Sequence, residues 1–102
     1  MSITRTTRDL NDADLEKVAG QFRLLGEPMR LKILQAICQK PLTVGEIVAA
    51  TGATQSNISR HLSLMAAARV IKRRKDGLFV YYGLSNPLIM RLCELVHKEL
   101  PS

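Results

Sequence analysis

Gln55, Ser56, Asn57, Ser59 and Arg60 crowd into six residues, directly after Thr54. These side-chain types suit reading nucleic-acid bases. An amide of Gln or Asn matches the donor and acceptor edge of adenine, and a guanidinium matches the two acceptors of guanine. Ser and Thr hydroxyls reach bases or phosphates alike. Further along comes Lys72-Arg73-Arg74-Lys75, a run of consecutive cations suited to a phosphate backbone. No catalytic chemistry needs a polar helix start followed by a basic ribbon. A protein that lays one helix in the DNA major groove and a ribbon along the neighbouring phosphates does need it. The plainer alternative makes Ser56, Asn57 and Ser59 solvated capping residues and the cations guards of a strand edge. A cationic run with no acid inside it exceeds that need.

The charge map agrees. Between Ala53 and Lys75 the basic residues are Arg60, Arg69, Lys72, Arg73, Arg74 and Lys75, with no Asp or Glu. The chain as a whole, with 15 basic and 9 acidic residues, carries +6. That segment therefore holds the entire excess, which is how a phosphate-binding face is built. Alternation along a strand sends neighbouring side chains to opposite faces, so Arg73, Arg74 and Lys75, nearest the tip, are the expected backbone contacts. His61 joins the DNA-facing group at a position that suits a phosphate contact or helix packing more than base reading. Tyr81 and Tyr82 are read as hairpin packing.

A chain of 102 residues makes one domain. With 46% hydrophobic and 4% aromatic residues, its core is aliphatic, and small cores of this kind are often supplemented by dimerisation. No apolar run reaches the roughly 18–20 residues of a membrane span, and Met1-Ser-Ile-Thr-Arg5 lacks the apolar segment of a secretory signal. Two cysteines without such a signal suit a reducing compartment. A cytoplasmic location with no membrane partner is expected. The sequence offers no nucleophile, base and acid arrangement and no glycine-rich phosphate loop. Neither enzymatic activity nor a cofactor is expected.

Residues 1–10 lack periodicity and read as a loose arm ahead of a domain over 11–102. Asn11 or Asp12 caps a first helix with Leu15, Val18, Ala19, Phe22 and Leu25 at helical spacing. Gly26-Glu-Pro28 opens a second, with Pro28 in its first turn, running to about Cys38. Thr43-Val-Gly-Glu46 has capping-box spacing for a short third helix that Gly52 stops. Thr54 caps a fourth, whose buried stripe is Ile58, Leu62, Met65 and Ala66. The third and fourth helices form a helix-turn-helix. Val70–Arg74 and Leu78–Leu84 are strand-like around Lys75-Asp-Gly77, a hairpin turn signal. Asn86-Pro87 caps a last helix, whose apolar residues make two seams. One seam buries against the domain, and the other is assigned to a partner chain. The expected dimer seam comprises Leu88, Leu92, Leu95 and Val96, with Leu15, Val18 and Phe22.

At this point the residues resemble a known family. Phe22-Arg-Leu-Leu-Gly-Glu-Pro-Met-Arg-Leu-Lys-Ile-Leu34, Gln55-Ser-Asn-Ile-Ser-Arg-His-Leu62 and Gly77-Leu-Phe-Val-Tyr-Tyr-Gly-Leu84 are similar to segments of the ArsR/SmtB winged-helix repressors. The likeness runs from Leu15 to Val96. It implies a mainly helical winged helix-turn-helix, ordered α-α-α-α-β-β-α. It also implies a homodimer on palindromic double-stranded operator DNA, released by an inducer. The family's metal ligand sets are not matched. The segment Leu42–Ile47 has no Cys, Ser85-Asn-Pro-Leu88 has no ligand at the start of the last helix, and the fourth helix has no Cys. No metal site is therefore expected. Cys38 and Cys93 remain, either as small core hydrophobes or as a dithiol switch, the latter ranked above a soft metal shared across a dimer. Some members sense oxidants or reactive sulfur with one Cys on each of these two helices, though at other positions. A winged-helix module binding protein or RNA without operator specificity is the alternative function.

Overall fold

The structure is a computed structural model that describes residues 9–101. Its order is α1 (Asp12–Leu25), α2 (Pro28–Ile37), α3 (Val44–Thr51), α4 (Gln55–Ala67), β1 (Ile71–Asp76), β2 (Phe79–Leu84) and α5 (Leu88–Glu99). This is the order expected from the sequence. Of the expected arm, residues 1–8 lie outside the described residues.

Local chemistry sets each boundary. Asn11 accepts the Asp14 amide at 2.8 Å while the Asp14 carboxylate accepts the Asn11 amide at 3.2 Å, a capping box. Thr43 and Glu46 form a second, at 3.2 and 2.9 Å. Thr54 Oγ1 accepts the Asn57 amide at 3.2 Å and starts α4. Each such cap contributes about 1 kcal/mol to its helix. Pro28 occupies the first turn of α2, and Gly52 closes α3. Cys38 is the C-cap of α2. Asn86 Oδ1 accepts the Leu88 amide at 2.9 Å, giving α5 its start.

The end of α4 is unusual. The Arg69 amide bonds Ala66 O and the Val70 amide bonds Met65 O, both at 3.0 Å. That is a Schellman closure, and it forces its central residue into the left-handed region. Arg69 sits there at φ +63°, the single described non-glycine residue with positive φ.

The buried core is aliphatic: Ile33, Leu34 and Ile37 from α2, Ile47 from α3, Ile58, Leu62 and Met65 from α4, then Val70 and Ile71. Burying an aliphatic side chain of this size contributes about 1.5–3 kcal/mol. The packing of α2, α3 and α4 around this centre holds the helix-turn-helix rigid.

β1 and β2 pair antiparallel with Ile71 opposite Leu84, Arg73 opposite Tyr82 and Lys75 opposite Val80. The turn lies one step later than the sequence signal. Lys75 and Asp76 are strand residues, and the loop is Gly77-Leu78. Gly77 has φ +63° and Leu78 does not, as a two-residue turn with glycine first requires. Leu42 bridges Tyr82 as a short third edge. Gly83 permits this approach, because a Cβ there would lie 3.2 Å from Pro41 Cγ.

None of the α5 residues is fully buried. Ile89, Met90 and Leu92 pack partly on the core, whereas Leu88, Leu95 and Val96 stay exposed. Leu15, Val18 and Phe22 of α1 are exposed as well. The radius of gyration, 15.6 Å, exceeds the roughly 13 Å of a compact domain of this length. Among the described residues no helix is long and apolar enough to cross a membrane.

Candidate nucleic-acid interface

The core-facing stripe of α4 dictates what its other side can do. With Ile58, Leu62 and Met65 inward, helical geometry turns Ser56, Arg60 and Ser63 outward, and all three are exposed. Gln55 and Thr54 are exposed at the helix start, while Asn57 and Ser59 are half-buried on its flanks. Thr54 keeps its hydroxyl proton free to donate, because its capping role uses the oxygen as acceptor. Arg60 Nη2 donates to Asn57 Oδ1 at 2.8 Å. Ser63 and Leu64 escaped the sequence reading. The spacing from Ser56 and Arg60, one and two turns on, places them on the same outer face.

His61 departs from the DNA-facing expectation. It is 5% exposed and sits inside a polar network. Arg30 Nε donates to His61 Nδ1 at 3.1 Å, and His61 Nε2 lies 3.2 Å from Glu27 Oε2. A guanidinium only donates, so Nδ1 is the acceptor and Nε2–H is the donor to Glu27. Arg30 Nη1 also donates to Leu24 O at 3.0 Å, and Glu27 Oε1 accepts the Met29 amide as the cap of α2. The network therefore joins the end of α1, the start of α2 and the middle of α4. The structure thus places His61 in helix packing, one of the two roles its position suited. Its partners lie more than thirty residues upstream, where no local pattern marks them.

The hairpin divides its cations between two faces. Cross-strand partners share a face, so Arg73 and Lys75 lie with Tyr82 and Val80, and Arg74 lies with Tyr81. Arg73 Nε donates to Tyr82 Oη at 3.4 Å. Arg74 stands 5.6 Å from the Tyr81 ring centroid and 3.8 Å from Asp76. Both contacts are exposed and weak, and they leave Arg74 available to a stronger anion. Among the described residues, Lys72 and Lys75 make no ion pair. Tyr82 packs against the core, as expected, and Tyr81 is half-buried. The tip is apolar: Leu78 is 96% and Phe79 59% exposed. Their apolar character disguised them as ordinary strand positions in the sequence.

A second region lies between the ends of the chain. A cleft of about 310 Å³ is lined by Phe22, Leu25, Gly26, Leu31, Leu92, Cys93, Val96, His97 and Leu100. Leu92 thus faces its own protomer in part, and the more exposed seam residues Phe22 and Val96 line the same cleft. Cys93 is half-buried and also borders a neighbouring depression with Pro28, Leu31 and Lys32. Cys38 is half-buried, its thiol donating to Gln35 O at 3.1 Å. Both thiols are free. Among the described residues no three His, Cys, Asp or Glu side chains cluster as metal ligands.

Comparison with known proteins places this geometry in context. Residues 27–73, which include the Glu27–Arg30–His61 network, α3, α4 and the start of the hairpin, match the family model "Bacterial regulatory protein, arsR family". Nodulation protein NolR of Rhizobium meliloti is 30% identical over 79 residues, covering 78% of this chain and 65% of its own length. The transcriptional repressor PagR of Bacillus anthracis is 34% identical over 84 residues, covering 81% of this chain and 84% of the repressor. Among solved structures, the homodimeric winged helix-turn-helix DNA-binding domain Mb0332 of Mycobacterium bovis superimposes with a TM-score of 0.76 at 27% identity. That match covers 94% of this chain and 87% of the other.

Proposed function

The chain belongs to the ArsR family of bacterial regulatory proteins, a family of regulators rather than enzymes, and on that premise we propose a homodimeric repressor of transcription. One observation carries the reading. The outward face of α4, with Ser56 and Arg60, adjoins an exposed hairpin whose cations are not neutralised by the rest of the chain. Thr54, Gln55, Ser56, Asn57, Ser59 and Arg60 are the proposed major-groove residues. Arg73, Arg74 and Lys75 are the proposed phosphate contacts. The domain is proposed to span 11–102, preceded by the arm.

The homodimer rests on the exposed apolar faces of α1 and α5. Leu15, Val18, Phe22, Leu88, Leu95 and Val96 form the proposed seam, with Leu92 at its inner edge. Mb0332 is itself a homodimer. A two-fold axis repeats the recognition helix in inverted orientation, so the matching operator is a palindrome with half-sites about one helical turn apart. The inducer is proposed to act on thiols, through oxidation or reactive sulfur. Cys93 supports this, because it borders the cleft beside the seam. Chemistry there alters the surface that spaces the two recognition helices.

The test is binding of the purified chain to duplex DNA across a salt series. Preference for a palindromic duplex and a steep fall of affinity with salt are expected. Replacing Arg74 and Lys75 by Ala weakens binding on all sequences alike and flattens that slope by up to about two units per chain. An unchanged slope overturns the hairpin assignment. Equal affinity for every duplex favours the module without operator specificity.

A further inference from the structure

The bond between Arg60 and Asn57 bears on which base α4 selects. Arg60 Nη2 donates to Asn57 Oδ1 at 2.8 Å, a charge-assisted contact within one turn of helix. Because a guanidinium has no acceptor, this bond also settles the orientation of the amide: Oδ1 faces Arg60 and the NH2 group is the free edge. The backbone amide of Asn57 is already taken by Thr54 Oγ1 at 3.2 Å. Behind them, the next residue, His61, bonds Arg30 and Glu27, which together with the buried stripe keeps Asn57 and Arg60 on the outer side of α4.

Adenine shows an asparagine one acceptor, N7, and one donor, N6 amino. Guanine shows two acceptors, N7 and O6. One of the two lone pairs of the amide oxygen that an adenine amino group would require is taken by Arg60, and what the pair mainly turns outward is a set of N–H donors. Donors alone match guanine. An exposed arginine also carries rotamer entropy, part of which the Asn57 bond removes before DNA arrives.

We propose that Asn57 is a positioning residue that holds Arg60 for guanine, and that the two act as one reader of a single G·C pair in each half-site. This rests on the DNA-binding reading above and names the base it selects.

The test is selection from a randomised duplex library by the full chain, followed by affinities on single duplexes at fixed salt. Variants are Arg60→Ala, Asn57→Ala, Asn57→Asp and the double alanine, each checked for wild-type thermal unfolding. Arg60→Ala should lose guanine preference at one base pair by about 5- to 150-fold. Asn57→Ala should weaken preference at that same pair by several-fold and at no other. The double variant should be no less selective than Arg60→Ala. Asn57→Asp, which keeps the acceptor, should retain the ratio of guanine to other bases while lowering affinity for all duplexes. Loss of an adenine preference at a different base pair in Asn57→Ala overturns the proposal, as does multiplication of the two losses in the double variant. Failure of the wild type to prefer any sequence would instead overturn the sequence-specific reading on which the proposal rests.

Discussion

His61 Nδ1 accepts a hydrogen bond from Arg30 Nε at 3.1 Å, tying the middle of the recognition helix to the first turn of α2. The bond is local in space and remote in sequence. It joins the core stripe of α4, which sets which of its residues face outward, in holding that helix against α2.

Replacing His61 by Leu should therefore cost stability, not phosphate contact. Arg30 and Glu27 would lose a partner within a half-buried site, at a cost of about 1–3 kcal/mol. For a domain of this size each kcal/mol lowers Tm by roughly 4–8 °C. Thermal unfolding reads the loss. The salt dependence of DNA binding by the folded variant should keep its wild-type slope, and a flatter slope would restore His61 to the interface.

Arg69 offers an opposite trade. Its φ of +63° is strained for any side chain bearing a Cβ, and glycine relieves this. Arg69→Gly should raise stability by up to about 1–2 kcal/mol in denaturant unfolding. It removes a cation outside the proposed phosphate contacts, so the salt slope of DNA binding should stay at its wild-type value. A slope flatter by about one unit per chain would add Arg69 to those contacts.

Leu95→Glu addresses the seam more cleanly than a change at Leu92, which packs partly within its own protomer. Leu95 is 52% exposed, so the lone protomer tolerates the carboxylate. Burying that charge against a second copy costs about 3–5 kcal/mol. Sedimentation should show a folded monomer at concentrations where the wild type is dimeric, with operator affinity reduced at least ~100-fold. A dimeric variant would place the seam elsewhere.

Cys38→Ser and Cys93→Ser test the thiol signal. Diamide or polysulfide should lower operator affinity of the wild type by about 5- to 150-fold, the span of ~1–3 kcal/mol of coupling. Cys93→Ser should abolish the response, given its place at the cleft. If Cys38→Ser also abolishes it, the two thiols act together. A wild type indifferent to both reagents returns both to plain packing.

Most element starts were legible because a cap is a contact within three residues: Asn11 with Asp14, Thr43 with Glu46, Thr54 with Asn57. Such signals survive in a bare sequence. The core stripe Ile58, Leu62 and Met65 was legible for the same reason, being a periodicity. The burial of His61 was not legible, because it lies on the flank of that stripe, where burial depends on what another helix brings to it. Glu27 and Arg30 supply that, and nothing near position 61 announces them. The hairpin turn lies later than its signal because Lys75-Asp-Gly77 as a whole reads as a turn. The chain instead uses Gly77 as the first of two loop residues, which extends β1 to Asp76 and leaves Leu78 at the tip. The Asn57–Arg60 bond was hidden for a simpler reason. Both residues were read as separate base contacts, and only coordinates show one holding the other.

A helix such as α5, without a single fully buried residue, would make a protein that pairs through it sensitive to its own abundance. An isolated α5 has little packing to oppose local opening, so its amides should exchange quickly with solvent in dilute protein and slowly once a second copy covers them. Folding of this helix and pairing then draw on the same free energy, and the melting temperature climbs with concentration. Below the dissociation constant of the pair, single chains with an opened α5 would predominate. Doubling a scarce population would roughly quadruple the DNA-competent form by mass action. Operator occupancy would then rise as a threshold in copy number, even with no inducer present.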